Sequence, residues 1–120
     1  TAHDTGVVLN RLTFQGQVDG GVVNGMGFAL MEENPMVDGR ITTLSLGEFK
    51  LPCIKDIPRL STVVLESPTG PVPFHGKQIA EMPNVPTAAA IANAVADAVG
   101  VRLFELPLTA EKVYWELKKK

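Results

Sequence analysis

The sequence predicts an α+β domain in which a small mixed sheet is covered by helices. Segments rich in β-branched residues alternate with apolar segments of helical length, which favours a mixture of strands and helices. Two proline-rich irregular segments interrupt this order and break any regular βαβ repeat. The chain has 120 residues and is 45% hydrophobic, enough for one core. We therefore expect residues 1–120 to form a single domain.

The first half of the chain is predicted to place strands around one glycine-containing helix. Residues 6–14 and 40–49 carry β-branched and apolar side chains that are typical of strands. Between Gly20 and Leu30 the only polar side chain is Asn24, and an apolar run of this length predicts a buried helix. Each glycine inside a helix costs roughly 1 kcal/mol relative to alanine. Glycines retained there indicate close approach of another element or of a ligand.

Two interpretations of these glycines stay open. A helix start with small residues offers free N–H groups to an anion, so a small anion-binding domain is one hypothesis. The glycine spacing fits neither a dinucleotide-binding fingerprint nor a P-loop. Helix packing is therefore the preferred interpretation.

The second half is predicted to contain two further strands and two helices. Residues 60–66 and 101–106 read as strands. Residues 85–99 form an alanine-rich apolar segment that predicts a packed helix. Thr109 is a candidate N-cap for a final helix that extends to Leu117.

A stiff loop over residues 70–86 presents a single carboxylate, Glu81, just ahead of the alanine-rich helix. The loop contains Pro71, Pro73, Pro83 and Pro86. Proline fixes φ and removes a backbone donor, so this segment is predicted to be neither a regular helix nor a central strand. A carboxylate held in a fixed position among apolar residues is suited to proton transfer. On composition alone, a connecting loop with a solvated glutamate carries more weight.

Other reactive side chains have structural interpretations. Cys53 lies among apolar residues and is expected to be a small buried hydrophobe. His75 is expected to bond to the loop backbone, with contact to a substrate as the alternative. Lys77 is expected to face solvent, or to influence the charge of Glu81 if the loop folds back.

Composition excludes several classes of partner. The net charge of −2 gives no electrostatic footprint for nucleic acid or for an anionic membrane. The only basic run, residues 118–120, reads as a frayed helix end. One cysteine excludes an internal disulfide and most zinc sites, and no metal ligands are assigned in this chain. It suits a reducing compartment, and we expect a cytoplasmic protein.

Three motifs follow one another along nearly the whole chain. They are His3-Asp4-x-Gly6 with Gly16-Gln17-x-x-Gly20-Gly21, then Leu51-Pro52-x-x-x-Asp56-Ile57-Pro58, then Gly70-Pro71 with Lys77-x-x-x-Glu81-x-Pro83 and Leu106-Pro107-Leu108-Thr109. In this order they resemble the C-terminal part of the molybdenum-binding (large) subunit of the xanthine dehydrogenase/aldehyde oxidase family of molybdenum hydroxylases.

The resemblance implies a site as well as a fold. It implies the fold of that family's C-terminal molybdopterin-binding domain. The family's catalytic base corresponds to Glu81, and its molybdopterin-contacting glutamine corresponds to Gln17, beside Gly20 and Gly21. The cofactor would be molybdenum-molybdopterin, shared with an upstream part of the subunit. Iron–sulfur clusters and FAD would lie on partner domains or subunits.

The resemblance also implies a reaction, a substrate class and a fragment. The reaction would oxidise an aldehyde or a xanthine-like N-heterocycle with water as the oxygen source. The chain would be a C-terminal fragment of a longer subunit and inactive by itself. Gln78 and Ala80 replace family glycines, and Val72 and Pro73 lengthen the loop. Because of these departures, the resemblance does not define the shape of the substrate pocket or the substrate class. The alternative is a non-catalytic, stand-alone structural or assembly module of the same fold.

Overall fold

The structure is a computed structural model that describes residues 1–119 and combines helices with one small sheet. The elements are α1 (Arg11–Leu30), β1 (Met36–Val37), β2 (Arg40–Ile41), α2 (Leu46–Phe49), α3 (Thr87–Val99) and α4 (Ala110–Lys118). This composition confirms the predicted α+β class. The expected frayed end at residues 118–120 includes Lys120, which lies outside the described residues.

Helix α1 is longer than the sequence pattern predicted. Asn10 caps it, because its side-chain oxygen accepts a hydrogen bond from the Thr13 amide at 3.1 Å. The apolar run over residues 20–30 is helical, as predicted. The strand predicted over residues 6–14 is wrong, since the cap at Asn10 starts the helix within that segment.

Glycines let α1 pack closely on α3 and on the turn before it. A Cβ built on Gly25 would lie 2.5 Å from Cβ of Thr87, the first residue of α3. A Cβ on Gly21 would lie 2.9 Å from Cβ of Pro83. Both distances are too short for any larger residue. Helix packing is therefore confirmed as the role of Gly25, whereas Gly21 lets α1 pack on the turn before α3. Helix α3 ends where Gly100 adopts a left-handed conformation at φ 69°.

The sheet is smaller than expected. Strands β1 and β2 pair antiparallel, with Met36 opposite Ile41, and both are exposed. Beyond Ile41 the segment predicted as a strand turns into α2, because the Ser45 side chain caps that helix by accepting from the Glu48 amide. Residues 60–66 and 101–106 belong to no strand within residues 1–119. Strand propensity reflects packing against neighbouring strands, and no neighbour for these segments lies in the described part of the chain.

The core is small, and the shape is open. Its buried apolar residues are Val18, Met26, Ala29 and Leu108. The Leu108 amide donates to the Ala29 carbonyl at 2.6 Å and ties the segment before α4 to α1. The radius of gyration is 17.6 Å, whereas a compact domain of this length has about 14 Å.

Two local predictions near the ends of this framework have opposite outcomes. Thr109 caps α4, as predicted, by accepting a hydrogen bond from the Lys112 amide at 3.3 Å. Cys53 is exposed, so its predicted burial is wrong. It lies in a turn in which its amide donates to Asp56 at 2.8 Å, and this turn faces outward. Among residues 1–119, no helix is long and apolar enough to cross a membrane.

Candidate active site

The N-terminal segment binds the loop that carries Glu81. Residues 4–7 run antiparallel to residues 75–77 and bridge to them at Gly6 and Gly76; we call this contact the N-terminal clamp. Its two backbone hydrogen bonds run from the Val7 amide to the His75 carbonyl at 2.9 Å and from the Lys77 amide to the Thr5 carbonyl at 3.0 Å. The clamp therefore fixes the backbone four residues before Glu81.

An ion pair reinforces the N-terminal clamp. The ammonium group of Lys77 donates to the carboxylate of Asp4, and the Gly6 amide donates to the same carboxylate at 3.1 Å. The Lys77 hydrogen bond, followed by that of Gly6, holds the pKa of Asp4 below its usual value. The sequence predicted that Lys77 faces solvent or influences the charge of Glu81, and the structure shows a different arrangement. Lys77 is partly buried and pairs with Asp4.

The loop enters the clamp through a strained turn. Phe74 and His75 have φ values of 55° and 58°, a region that residues other than glycine rarely adopt. The ring nitrogen Nδ1 of His75 lies 3.2 Å from the carbonyl oxygen of Gly70, within hydrogen-bond distance. This contact confirms the backbone-bonded interpretation of His75. The Phe74 side chain is 81% exposed at the tip of the turn.

Glu81 lies in a tight turn that packs on α1. The Met82 amide donates to the Ile79 carbonyl and the Asn84 amide donates to the Glu81 carbonyl, each at 3.0 Å. Pro83 is fully buried against Gly21. The backbone around Glu81 is therefore fixed, whereas its side chain is exposed. The apolar enclosure expected around this carboxylate is not formed by the described residues.

Gln17 shares a cavity with the Glu81 loop. A cavity of about 190 Å³ separates the start of α1 from the clamp, and its lining includes Asn10, Thr13, Gln17, Lys77 and Ile79. Ile79 is two residues from Glu81. The structure thus brings the first and third sequence motifs together at one site.

The two glycines predicted to contact the cofactor have different surroundings. A Cβ on Gly20 would meet no atom of the described residues within 4 Å, so this exposed face of α1 is open to a ligand. Gly21 instead faces Pro83 and is buried. Gly21 therefore positions the Glu81 turn, whereas Gly20 leaves space beside Gln17 on the same helix.

Hydrogen-bonding side chains line part of this site. Within residues 1–119, no cluster of three His, Cys, Asp or Glu side chains could hold a metal ion. Asn10 and Gln17 line the cavity with side-chain amide N–H groups that no described hydrogen bond uses. The Thr13 hydroxyl donates to the Asn10 carbonyl, and the ammonium group of Lys77 is paired with Asp4. Amide donors of this kind would fit the anionic and heteroatom-rich periphery of molybdopterin.

Sequence reasoning missed the clamp residues. Asp4 and Gly6 belong to the first motif, but the sequence pattern predicts no role for either residue. Their partners lie about 70 residues away, and no local periodicity reports such a pairing. The sequence carries one signal for this pairing. The first motif combines an acidic residue, Asp4, with a small residue, Gly6, and the third motif contains a lysine, Lys77.

Comparisons with known proteins indicate one family. The family described as molybdopterin cofactor-binding domain matches residues 1–58. The putative xanthine dehydrogenase molybdenum-binding subunit XdhA of Escherichia coli is 39% identical over 117 residues, which cover 95% of this chain and 15% of that protein. The aldehyde oxidoreductase of Megalodesulfovibrio gigas is 37% identical, over 96% of this chain and 12% of that protein.

A comparison with solved structures also indicates a molybdenum hydroxylase fold. Quinoline 2-oxidoreductase from Pseudomonas putida 86 superposes with a TM-score of 0.90 at 27% identity, and the match covers 98% of this chain and 15% of that one. The chain belongs to the xanthine dehydrogenase/aldehyde oxidase family of molybdenum hydroxylases. It spans about 15% of the length of the relatives that it matches.

Proposed function

We propose that this chain is the C-terminal part of the molybdenum-binding subunit of a molybdenum hydroxylase. In this role it supplies Glu81 as the catalytic base and Gln17 with Gly20 as part of the molybdopterin-binding surface. The observation that carries the proposal is the shared cavity, which is lined by Gln17 of α1 and by Lys77 and Ile79 of the Glu81 loop. A base and a cofactor contact must be neighbours if both serve one reaction.

The chain's own residues have separable tasks in this proposal. When bound, the cofactor supplies the oxidation of an aldehyde or N-heterocycle, with water as the oxygen source. Glu81 accepts a proton through its exposed carboxylate, because the N-terminal clamp and Pro83 fix the backbone on either side of it. Gln17 orients the cofactor through its side-chain amide, which donates and accepts hydrogen bonds. Gly20 allows close approach, and Gly21 holds the turn through Pro83.

The chain matches only about 15% of the length of its E. coli relative, so the proposed enzyme needs further protein segments. The E. coli relative is, by its name, one molybdenum-binding subunit. We propose an upstream segment of the same subunit that completes the cofactor site and the substrate pocket. Iron–sulfur and FAD domains or subunits accept the electrons, and the assembly works in the cytoplasm.

The role of Glu81 is tested by Glu81→Gln in the full-length subunit. This change removes the proton acceptor but keeps size and polarity, so turnover should fall by about 10²–10⁴-fold while molybdenum content stays unchanged. Glu105→Gln is the matched control, because Glu105 is an exposed carboxylate outside the site. Turnover of Glu81→Gln within tenfold of wild type would reject Glu81 as the base.

The role of Gln17 is tested by the cofactor content of Gln17→Ala. Loss of a cofactor-contacting amide should lower the molybdopterin recovered per subunit without unfolding the exposed start of α1. Asn24→Ala removes an exposed amide further along the same helix and serves as the control. Equal cofactor content in both variants would contradict the proposed contact. If Glu81→Gln were also neutral, the non-catalytic module would be the better description.

A further inference from the structure

The chain exposes more surface than a self-contained domain of its mass. Its accessible surface is 8721 Å². A compact monomer of 12.9 kDa exposes about 6,300 Å², so the excess is about 2,400 Å². Large apolar side chains account for part of it, including Val63 at 82% and Leu65 at 85% exposure. An excess of this size is comparable to a large permanent interface.

Residues 60–65 belong to no helix or strand of the described chain and have no strand partner. Among residues 1–119, no backbone group of this segment bonds to another backbone group. Its side chains alternate: Leu60, Thr62 and Val64 are half-buried, whereas Val63 and Leu65 point outward. The Thr62 hydroxyl accepts a hydrogen bond from Gln15 of α1 at 3.0 Å, which fixes one face of the segment on the helix. The segment has the pattern of a strand whose sheet is missing.

A cavity runs beside this segment. Its volume is about 430 Å³, and its lining includes residues 60–65 together with residues 1–3 and Thr5. Phe14, Val18 and Val22 of α1 line it as well. The lining is mixed, since the polar residues Thr1, His3 and Asp19 share the cavity with the apolar residues of α1. A strand seated in this cavity would give the unpaired backbone groups of residues 60–65 their hydrogen-bond partners.

The composition indicates permanent coverage. Residues 60–65 carry no charge and no proline, the two features that protect a solvent-facing edge strand. Apolar residues on both faces are typical of a strand in the interior of a larger sheet. A partner that binds and leaves would expose Val63 and Leu65 to water in each cycle. A covalently linked segment avoids this exposure, because its effective concentration is high.

We propose that residues 60–65 form a strand of a larger sheet, and that its partner is an extended apolar segment from the rest of the same molybdenum-binding subunit, seated in this cavity. The proposal rests on the proposed membership in a longer subunit. It adds the surface through which the chain is joined to the remainder and the mode of joining, which is β-strand pairing.

Hydrogen exchange in the full-length subunit tests the pairing. The amides of residues 61–65 should exchange at least about 100-fold more slowly than those of the exposed turn at residues 38–39 in the same sample. Exchange as fast as in that turn would overturn the proposal. Protection that appears only at high protein concentration, or only after partner subunits are added, would also overturn it, since the occupant would then be a second copy or another subunit.

A pair of substitutions tests the outward face of the same segment. Val63→Asp places a charge where an apolar cover is proposed, and it should lower the thermal midpoint of the full-length subunit by several degrees or prevent folding. Val63→Thr keeps the β-branched shape and is the control. Equal midpoints for both variants would contradict the cover. These readouts do not depend on turnover. Protected amides in a subunit without molybdenum would therefore support the pairing and reject only the proposed function.

Discussion

Gly6→Ala is the sharpest perturbation of the candidate site, because Gly6 stands at the centre of the N-terminal clamp. Its φ is +63°, and a Cβ added there would lie 2.0 Å from the carbonyl oxygen of His75. That oxygen accepts the Val7 amide hydrogen bond. The methyl group and this hydrogen bond cannot coexist at such a distance, so the clamp must separate from the loop.

The magnitude follows from two terms. A left-handed conformation costs an alanine about 1–2 kcal/mol, and each of the two lost clamp hydrogen bonds contributes about 0.5–1.5 kcal/mol. The free energy of opening the clamp should therefore fall by about 2–5 kcal/mol. Glu81 lies four residues beyond the clamp, so turnover should fall together with protection of the loop.

Gly39→Ala separates the two terms. Gly39 has φ +76°, but among the described residues no atom lies within 4 Å of its Cβ position. It therefore carries the conformational cost without the collision. Hydrogen exchange of the Val7 and Lys77 amides in the full-length subunit measures clamp opening. Exchange should accelerate in Gly6→Ala and stay unchanged in Gly39→Ala. Unchanged exchange in Gly6→Ala would refute the role of the clamp.

Two further predictions concern α1 and its C-terminal end. Gly25→Ala should lower the free energy of unfolding by about 1–3 kcal/mol, because the added methyl group overpacks against α3. Gly16→Ala should raise it by up to about 1 kcal/mol, because no atom of the described chain lies within 4 Å of that Cβ position. Equal thermal midpoints for the two variants would contradict this prediction. Burial raises the pKa of Glu32, so the folded state binds the proton more tightly, and stability should decline as pH rises through that raised pKa. Glu32→Gln should remove this decline and stabilise the protein at neutral pH in thermal unfolding measured across pH, and an unchanged pH profile would count against it.

Helices were predicted well where the sequence carried local signals. The apolar run of α1, the alanine-rich α3 and the Thr109 cap of α4 each depend on residues within a few positions of one another. The Asn10 cap was present in the sequence but was overlooked, and the strand predicted over residues 6–14 was wrong for that reason. Local signals of this kind need no knowledge of distant contacts.

Strands and burial were predicted less well, because they depend on distant partners. Residues 60–66 have strand composition, yet their backbone forms no hydrogen bond with another backbone group of the described residues. The burial predicted for Cys53 followed from its apolar neighbours in sequence, whereas the turn with Asp56 directs it outward. Pairing and burial are set by residues far along the chain or beyond it, and a local pattern does not specify them.

The candidate site shows the same division. Glu81 and Gln17 could be selected from motifs, and their roles stay predictions. The ion pair between Asp4 and Lys77, which holds the Glu81 loop near Gln17, could not be predicted from the sequence, because the two residues are 73 positions apart. The structure contributes the arrangement, in which the N-terminal clamp brings the Glu81 loop to the start of α1.

The most direct test of the central claim is the rate at which substrate reduces the molybdenum centre in a single turnover of the full-length enzyme. Wild type, Glu81→Gln and Glu105→Gln are compared after normalisation to molybdenum content. If Glu81 accepts the proton in the oxidation step, only Glu81→Gln should be slowed, by about 10²-fold or more. Reduction of Glu81→Gln at a rate within tenfold of wild type, with equal molybdenum content, would contradict the claim.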